Sequence, residues 1–208
     1  MFNIETVLRA NRPDIRFPFH KYKTENWKVE YVCSQADKKI SKNKRNEWVN
    51  DLLLYFARTT DINEVESFIE SLNKKDEAEY EIQNICSSLI KLTKVDAIED
   101  AQFEDIFNRV RKYLKEDQLL AKTPDISNLA FLNSATSTTY ENSFFPIKRE
   151  KIIGTDFEGV YVPIATKNLF LKYYTRKLGN ETHWDIMDAE YYLDVIGGIL
   201  MDFLRQKA

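Results

Sequence analysis

Asp125-Ile126-Ser127-Asn128-Leu129-Ala130-Phe131-Leu132-Asn133, a Ser/Thr-rich run over 134–139, and then Tyr140-Glu141-Asn142-Ser143-Phe144-Phe145-Pro146-Ile147-Lys148-Arg149-Glu150-Lys151 form the stretch on which the reading of this chain turns. Ile126, Leu129, Phe131 and Leu132 make a short apolar run with aromatic content, which suits a strand. Residues 134–139 hold one apolar side chain, Ala135, and suit a loop. From Phe144 to Ile153 the apolar residues return at helical spacing, so the unit reads strand, loop, helix. Asn128 in the strand and Asn142 before the helix bracket it and can bring two amides to one small site. An asparagine at a helix start also serves simply as a cap, its side-chain oxygen accepting from an orphan backbone N–H.

A second stretch with strand character lies far upstream, in Asn26-Trp27-Lys28-Val29-Glu30-Tyr31-Val32-Cys33-Ser34-Gln35. Trp27, Val29, Tyr31 and Val32 favour a strand, and alternation puts Trp27, Val29 and Tyr31 on one face with Lys28 and Glu30 on the other. Between the two stretches, residues 36–120 contain neither Pro nor Gly. Four amphipathic helices are expected there, on Trp48 to Phe56, Ile62 to Leu72, Ile82 to Leu92 and Phe103 to Leu114, the second capped by Thr60 or Asp61. Lys38, Lys39, Lys42, Lys44 and Arg45 ahead of them are candidates for phosphate contact or for a solvated loop. A short helix opens the chain on Ile4, Val7 and Leu8. Gly154 to Gly159 reads as a loop, 160–162 as a brief extended segment, Thr166 to Tyr174 as a helix, and Ile186 onward as a closing helix. The expected fold is α+β and mostly helical: one domain over residues 1–208 with a helical insertion at 36–120.

Composition narrows the function classes. The 208 residues carry a net charge of -3, which opposes nucleic-acid binding through overall charge and leaves a local basic face as the alternative. Two cysteines, Cys33 and Cys86, are too few for a disulfide scaffold or an all-cysteine zinc site and suit a reducing, cytoplasmic setting. No apolar run of membrane-spanning length and no signal peptide is evident, so no membrane partner is expected. Five glycines leave little room for a phosphate-cradling loop, and no nucleotide cofactor is expected.

Taken together, the two stretches resemble the HNH-type, ββα-metal nuclease domain that ends the GmrSD-type modification-dependent restriction enzymes. That family's first strand runs approximately Trp-Asp-Ile-Glu-His-Ile-x-Ser-Gln, and here Trp27-Lys28-Val29-Glu30-Tyr31-Val32-Cys33-Ser34-Gln35 stands in its place. The likeness extends to Phe2 through Leu8 and Arg16 through Tyr22 upstream. Downstream it takes in Asn128-Leu129, Tyr140-Glu141-Asn142, Phe145 through Arg149, Tyr161-Val162-Pro163 and Phe170 through Tyr174. Residues 36–120 match no part of it. The resemblance implies an HNH-like ββα core interrupted by a large helical insertion between its two motif strands. It implies metal ligands at Glu30 and Asn142, the general-base position at Tyr31, Asn128 orienting the geometry around the base, and phosphate contacts at Lys148 and Arg149. The cofactor implied is Mg2+ or Mn2+, and the partners are DNA and a separate nucleotide-hydrolysing, modification-sensing subunit. The chain is then a separated subunit or a fragment of a longer one.

Two departures decide what such a domain does. The family's water-activating histidine is replaced by Tyr31, and a phenol is rarely ionised at neutral pH, where imidazole is poised to accept a proton. Losing a positioned base costs about a hundred- to ten-thousandfold in rate. The family's aspartate two residues before Glu30 is Lys28, whose charge opposes a nearby cation. His20 and His183, the remaining histidines, lie outside the motif strands. With Glu30 the one clear acidic ligand, divalent metal binding is expected to be weak. The expected function is a degenerate HNH-type nuclease-fold domain of a GmrSD-like DNA restriction or phage-defence system, binding or regulatory with little or no cleavage. An active metal-dependent endonuclease and a protein-interaction subunit are the alternatives.

Overall fold

The structure, a computed structural model, describes residues 2–9, 16–33, 40–116, 126–133, 143–175 and 182–205, the side chains of Val7 and Leu8 excepted. In chain order the elements are α1 (Phe2–Arg9), α2 (Phe19–Thr24), β1 (Lys28–Tyr31), α3 (Arg45–Ala57), α4 (Ile62–Ser71), α5 (Glu77–Thr93), α6 (Asp100–Tyr113), β2 (Leu129–Leu132), α7 (Phe145–Phe157), α8 (Ile164–Phe170) and α9 (Ile186–Arg205). The fold is α+β and mostly helical, with a two-stranded antiparallel sheet. Among the described residues, no helix is long and apolar enough to cross a membrane. The chain divides into two compact units, one comprising Met1–Gln35 with Gln118–Ala208, the other Ala36–Asp117.

The helical unit, Ala36–Asp117, is built on the expected stripes. Trp48, Val49, Leu52 and Leu53 of α3, Val65 of α4, Ile85, Cys86 and Leu89 of α5, and Ile106 and Val110 of α6 are buried. Its helix starts are chemically marked. The Asp61 side chain accepts from the Asn63 and Glu64 N–H groups, Asp76 accepts from Glu79 N–H, and Glu99 with Gln102 forms a capping box. Of the basic run, Arg45 serves the interior of this unit. Its guanidinium donates to the Ile98 carbonyl at 2.7 Å and to Asp100 Oδ1 at 2.6 Å, and lies 4.6 Å from the Phe103 ring centre. Lys42 pairs with Glu99 at 3.3 Å, and Lys38 and Lys39 fall outside the described residues. Burial also pushes the Cys86 thiol up to about 12, so it behaves as a core hydrophobe.

In the other unit the two distant stretches meet as β1 and β2, with Lys28 opposite Leu132, Val29 opposite Phe131, Glu30 opposite Ala130 and Tyr31 opposite Leu129. A single core joins Val32, Cys33, Ala130 and Leu132 from the strand region to Phe145 and Ile152 of α7, Leu169 and Phe170 of α8, and Tyr192 and Ile196 of α9. Phe145 stacks on Phe170 at 5.5 Å and touches Trp184 at 5.6 Å. The outer edge of β2 is closed by Thr166 of α8, whose hydroxyl donates to the Phe131 carbonyl at 2.8 Å and accepts from the Phe131 N–H at 3.1 Å. That single side chain satisfies both backbone groups of a residue that would otherwise present an open strand edge.

Three expectations are corrected here. Asn128 belongs to a 3-10 turn, Ile126–Asn128, immediately before β2 rather than to the strand. Helix α7 runs through Gly154 to Phe157 where a loop was expected; a lone glycine costs a helix only about 1 kcal/mol, and the chain turns instead at Gly159, whose φ of +82° suits glycine. The helix in the third case is α8, Ile164–Phe170, which starts earlier than 166 with Pro163 as its N-cap and ends before 174 with Leu171 as its C-cap.

Candidate functional site

The sheet's two faces are used in an unexpected sense. Val29 is 60 % exposed while Glu30, the carboxylate between Val29 and Tyr31, is buried. The reason sits on α7. This helix begins with Phe144 as N-cap and Pro146 in its first turn, where the missing N–H costs nothing. Phe145, Lys148 and Ile152, three and then four residues apart, fall on its inner face. Lys148 is consequently inside the domain, its side chain only 1 % exposed. Its ammonium donates to the Tyr31 carbonyl at 2.6 Å and lies 3.8 Å from Glu30 Oε1. Helix α7 and strand β1 are thus tied by a buried cation.

The Asn128 side chain ties the start of β2 to the end of β1. Its Oδ1 accepts from the Cys33 N–H at 2.9 Å across 95 positions of sequence, and its carbonyl accepts from the Val32 N–H at 2.9 Å. Arg149, next to Lys148, turns away from the sheet and donates from Nε to the Phe170 carbonyl at 3.0 Å. Tyr31 gives its carbonyl to Lys148, and Lys28 stands exposed at the start of β1. Asn142 lies outside the described residues. His20 is exposed on α2, and His183 Nδ1 is 2.7 Å from the Thr182 hydroxyl.

Glu30, Tyr31, Asn128 and Lys148 are therefore brought together around the strand pair, whereas Arg149 is engaged with α8. Thr166 was not named from the sequence, and Lys148 was named there for phosphate contact rather than as an interior tie. Thr166 carries no signal in its surroundings that marks it as an edge clasp. Lys148 does: the Phe145–Lys148–Ile152 spacing places it on the apolar face, and only its charge suggested the surface.

Among the described residues, the donors around Glu30 are poorly suited to a tightly held divalent cation. A hard cation takes six or more oxygen ligands, and the Glu30 carboxylate already faces a fixed positive charge at 3.8 Å. A metal ion there would have to compete with the ammonium. Among the described residues, no three His, Cys, Asp or Glu side chains gather into a metal-sized group. Isothermal titration with Mn2+ is expected to give weak binding that Glu30→Ala abolishes or leaves undetectable; tight, Glu30-dependent binding would mean that further ligands reach the carboxylate.

A second charged cluster, at the junction of α8 and α9, is structural. Lys172 donates to Asp188 Oδ2 at 2.7 Å and Thr175 to Asp188 Oδ1 at 2.5 Å, while Asp185 and Asp188 each accept from the other's backbone N–H. Every oxygen of the buried Asp188 carboxylate is thereby used to hold the first turn of α9. Comparison with known protein families, with curated proteins and with solved structures gave no match to this chain.

Proposed function

We propose that this chain is a degenerate HNH-type domain of a GmrSD-like DNA restriction or phage-defence system, one that binds DNA or regulates a partner and cuts little or not at all. The observation that carries the reading is the Lys148 ammonium beside Glu30, on the helix that follows the second strand of an antiparallel pair. A strand–strand–helix unit with an inward carboxylate on its first strand is the arrangement the resemblance asks for. An HNH-type site needs that carboxylate for a divalent cation, which stabilises the charge developing on a scissile phosphate. Here an internal ammonium supplies the positive charge, and Tyr31 stands where the base should be. The ammonium neutralises the carboxylate and holds helix to strand without supplying an open coordination position. The scaffold then persists while the chemistry does not. A separate nucleotide-hydrolysing, modification-sensing subunit is the partner this reading implies.

The test is DNA binding by the purified chain, on modified and unmodified duplexes, in magnesium and in EDTA. Retained binding that EDTA leaves unchanged supports the proposal. Absent DNA binding, with a protein partner still held, would replace it with a pure interaction subunit.

A further inference from the structure

Residues 16–28, Arg-Phe-Pro-Phe-His-Lys-Tyr-Lys-Thr-Glu-Asn-Trp-Lys, alternate aromatic and basic side chains and hold four cations, Arg16, Lys21, Lys23 and Lys28, against the one carboxylate of Glu25. The chain as a whole is acidic, with a net charge of -3, so this is a local reversal of sign. Glu25 is itself drawn inward, accepting from Trp27 Nε1 at 3.1 Å and pairing with Lys21 at 3.9 Å.

The aromatics of this stretch do not collapse into the core of their unit. Phe17 meets Phe19 at 4.8 Å and Trp27 at 5.9 Å, Tyr22 meets Trp27 at 5.8 Å and Phe131 at 5.9 Å, and Trp27 meets Phe131 at 5.4 Å. Beneath them Tyr161 stacks on Trp27 at 5.6 Å. Burial, and then the Glu25 carboxylate, push the Tyr161 phenol up to about 12, so it adds no negative charge at neutral pH. The outer members stay open to solvent: Phe19 is 56 % and Tyr22 48 % exposed. With Phe2, Asn3, Ile4, Phe17 and Phe131 they line a groove of about 370 Å³. On α2, Phe19, Tyr22 and Lys23 are three and four positions apart and so share one side, which sets an exposed ammonium beside two exposed rings.

We propose that this groove binds single-stranded nucleic acid, with one or two unpaired bases stacking on Phe19 and Tyr22 and the backbone phosphates meeting Lys23 and Arg16. The inference rests on the nucleic-acid-binding reading above and names the surface that performs it. Three features favour a single strand. Exposed rings offer their π-faces, which a base can cover only when it is unpaired. The groove has room for a base and its sugar but not for a duplex. Arg16 and Lys23 adjoin the ring-bearing positions Phe17 and Tyr22 in the chain, and these two cations are fewer than the broad field that tracks two phosphate backbones. A peptide without acidic side chains would be served by the rings but gains nothing from the positive charge.

Fluorescence anisotropy with a short labelled oligothymidylate and an equally long duplex tests it. The oligothymidylate is expected to bind the full chain more tightly than the duplex does. Phe19→Ala and Tyr22→Ala should each weaken it by about five- to a hundredfold, the usual worth of one stacked base. Phe19→Tyr and Tyr22→Phe, which keep the ring, should restore it, and Lys23→Gln should lower the salt slope by about one. Lys94→Gln in the helical unit should change nothing. Thermal midpoints of all variants report folding, and Phe19 carries the test alone if Tyr22→Ala disturbs the ring cluster. Duplex preference, or DNA binding untouched by the alanine variants, would overturn this inference and leave the proposed function standing. Failure of the unmodified chain to bind any nucleic acid would overturn this inference and the DNA-binding limb of the proposed function together.

Discussion

Lys148→Met is expected to destabilise the sheet-containing unit by about 3–5 kcal/mol, the usual cost of removing one partner from a buried ion pair. The methionine conserves most of the volume, so the loss isolates the charge. It strips the Tyr31 carbonyl of its 2.6 Å donor and leaves Glu30 a buried carboxylate without the ammonium that faces it. Glu30→Gln in the same background should return part of the loss, because a neutral amide costs less to keep out of water than a carboxylate that has lost a facing ammonium. Urea unfolding of the native chain, the two single variants and the double variant, followed by near-ultraviolet circular dichroism, gives the coupling directly. A Lys148→Met cost below about 1 kcal/mol, in the range of an exposed pair, would mean that the ammonium does not hold helix to strand.

Tyr31→His combined with Lys28→Asp is expected to raise metal-dependent DNA cleavage above that of the native chain. Histidine supplies a base poised near neutral pH, and removing the Lys28 ammonium removes one repulsion at the strand that carries Glu30. The gain should be about tenfold or more, yet short of the hundred- to ten-thousandfold that a positioned base ordinarily provides. The shortfall has a named cause: Lys148 still competes with any cation for Glu30. Cleavage rates in Mg2+ and Mn2+ against an EDTA control measure the effect. A double variant as inactive as the native chain, in a protein that still folds, would place the defect elsewhere than at Tyr31 and Lys28.

How much of this could be read from residues alone differs by element, for physical reasons. The helices of the insertion were legible because each buries one stripe at 3.6 spacing and α4 begins at Asp61, whose carboxylate caps its first turn; the Asp76 cap of α5 was not read, and that helix starts at Glu77, ahead of the expected Ile82. The meeting of β1 and β2 was legible only through the resemblance, since nothing in Trp27 to Val32 specifies a partner beyond position 120. The end of α7 was misread because Gly154 looks like a stop. A glycine stops a helix only where the backbone needs a positive φ, and here that residue is Gly159. Lys148 was named for phosphate contact, and the structure buries it beside Glu30. Its charge argued for the surface and its spacing from Phe145 and Ile152 argued for the core, and the presence of Glu30 and the Tyr31 carbonyl inside the fold makes the second argument the stronger. Val29 shows the reverse: an apolar residue left outside because the opposite face of its strand carries the ion pair.

The unmodified chain and Tyr31→Phe are to be incubated with modified and unmodified DNA, in Mg2+, in Mn2+ and in EDTA. Little or no cleavage is expected throughout, with no difference between the two proteins, because the Glu30 carboxylate faces Lys148 and the proposed base position holds a tyrosine. Robust cleavage by the unmodified chain that EDTA abolishes and Tyr31→Phe collapses would contradict that expectation, and would make this an HNH-type enzyme with a tyrosine base.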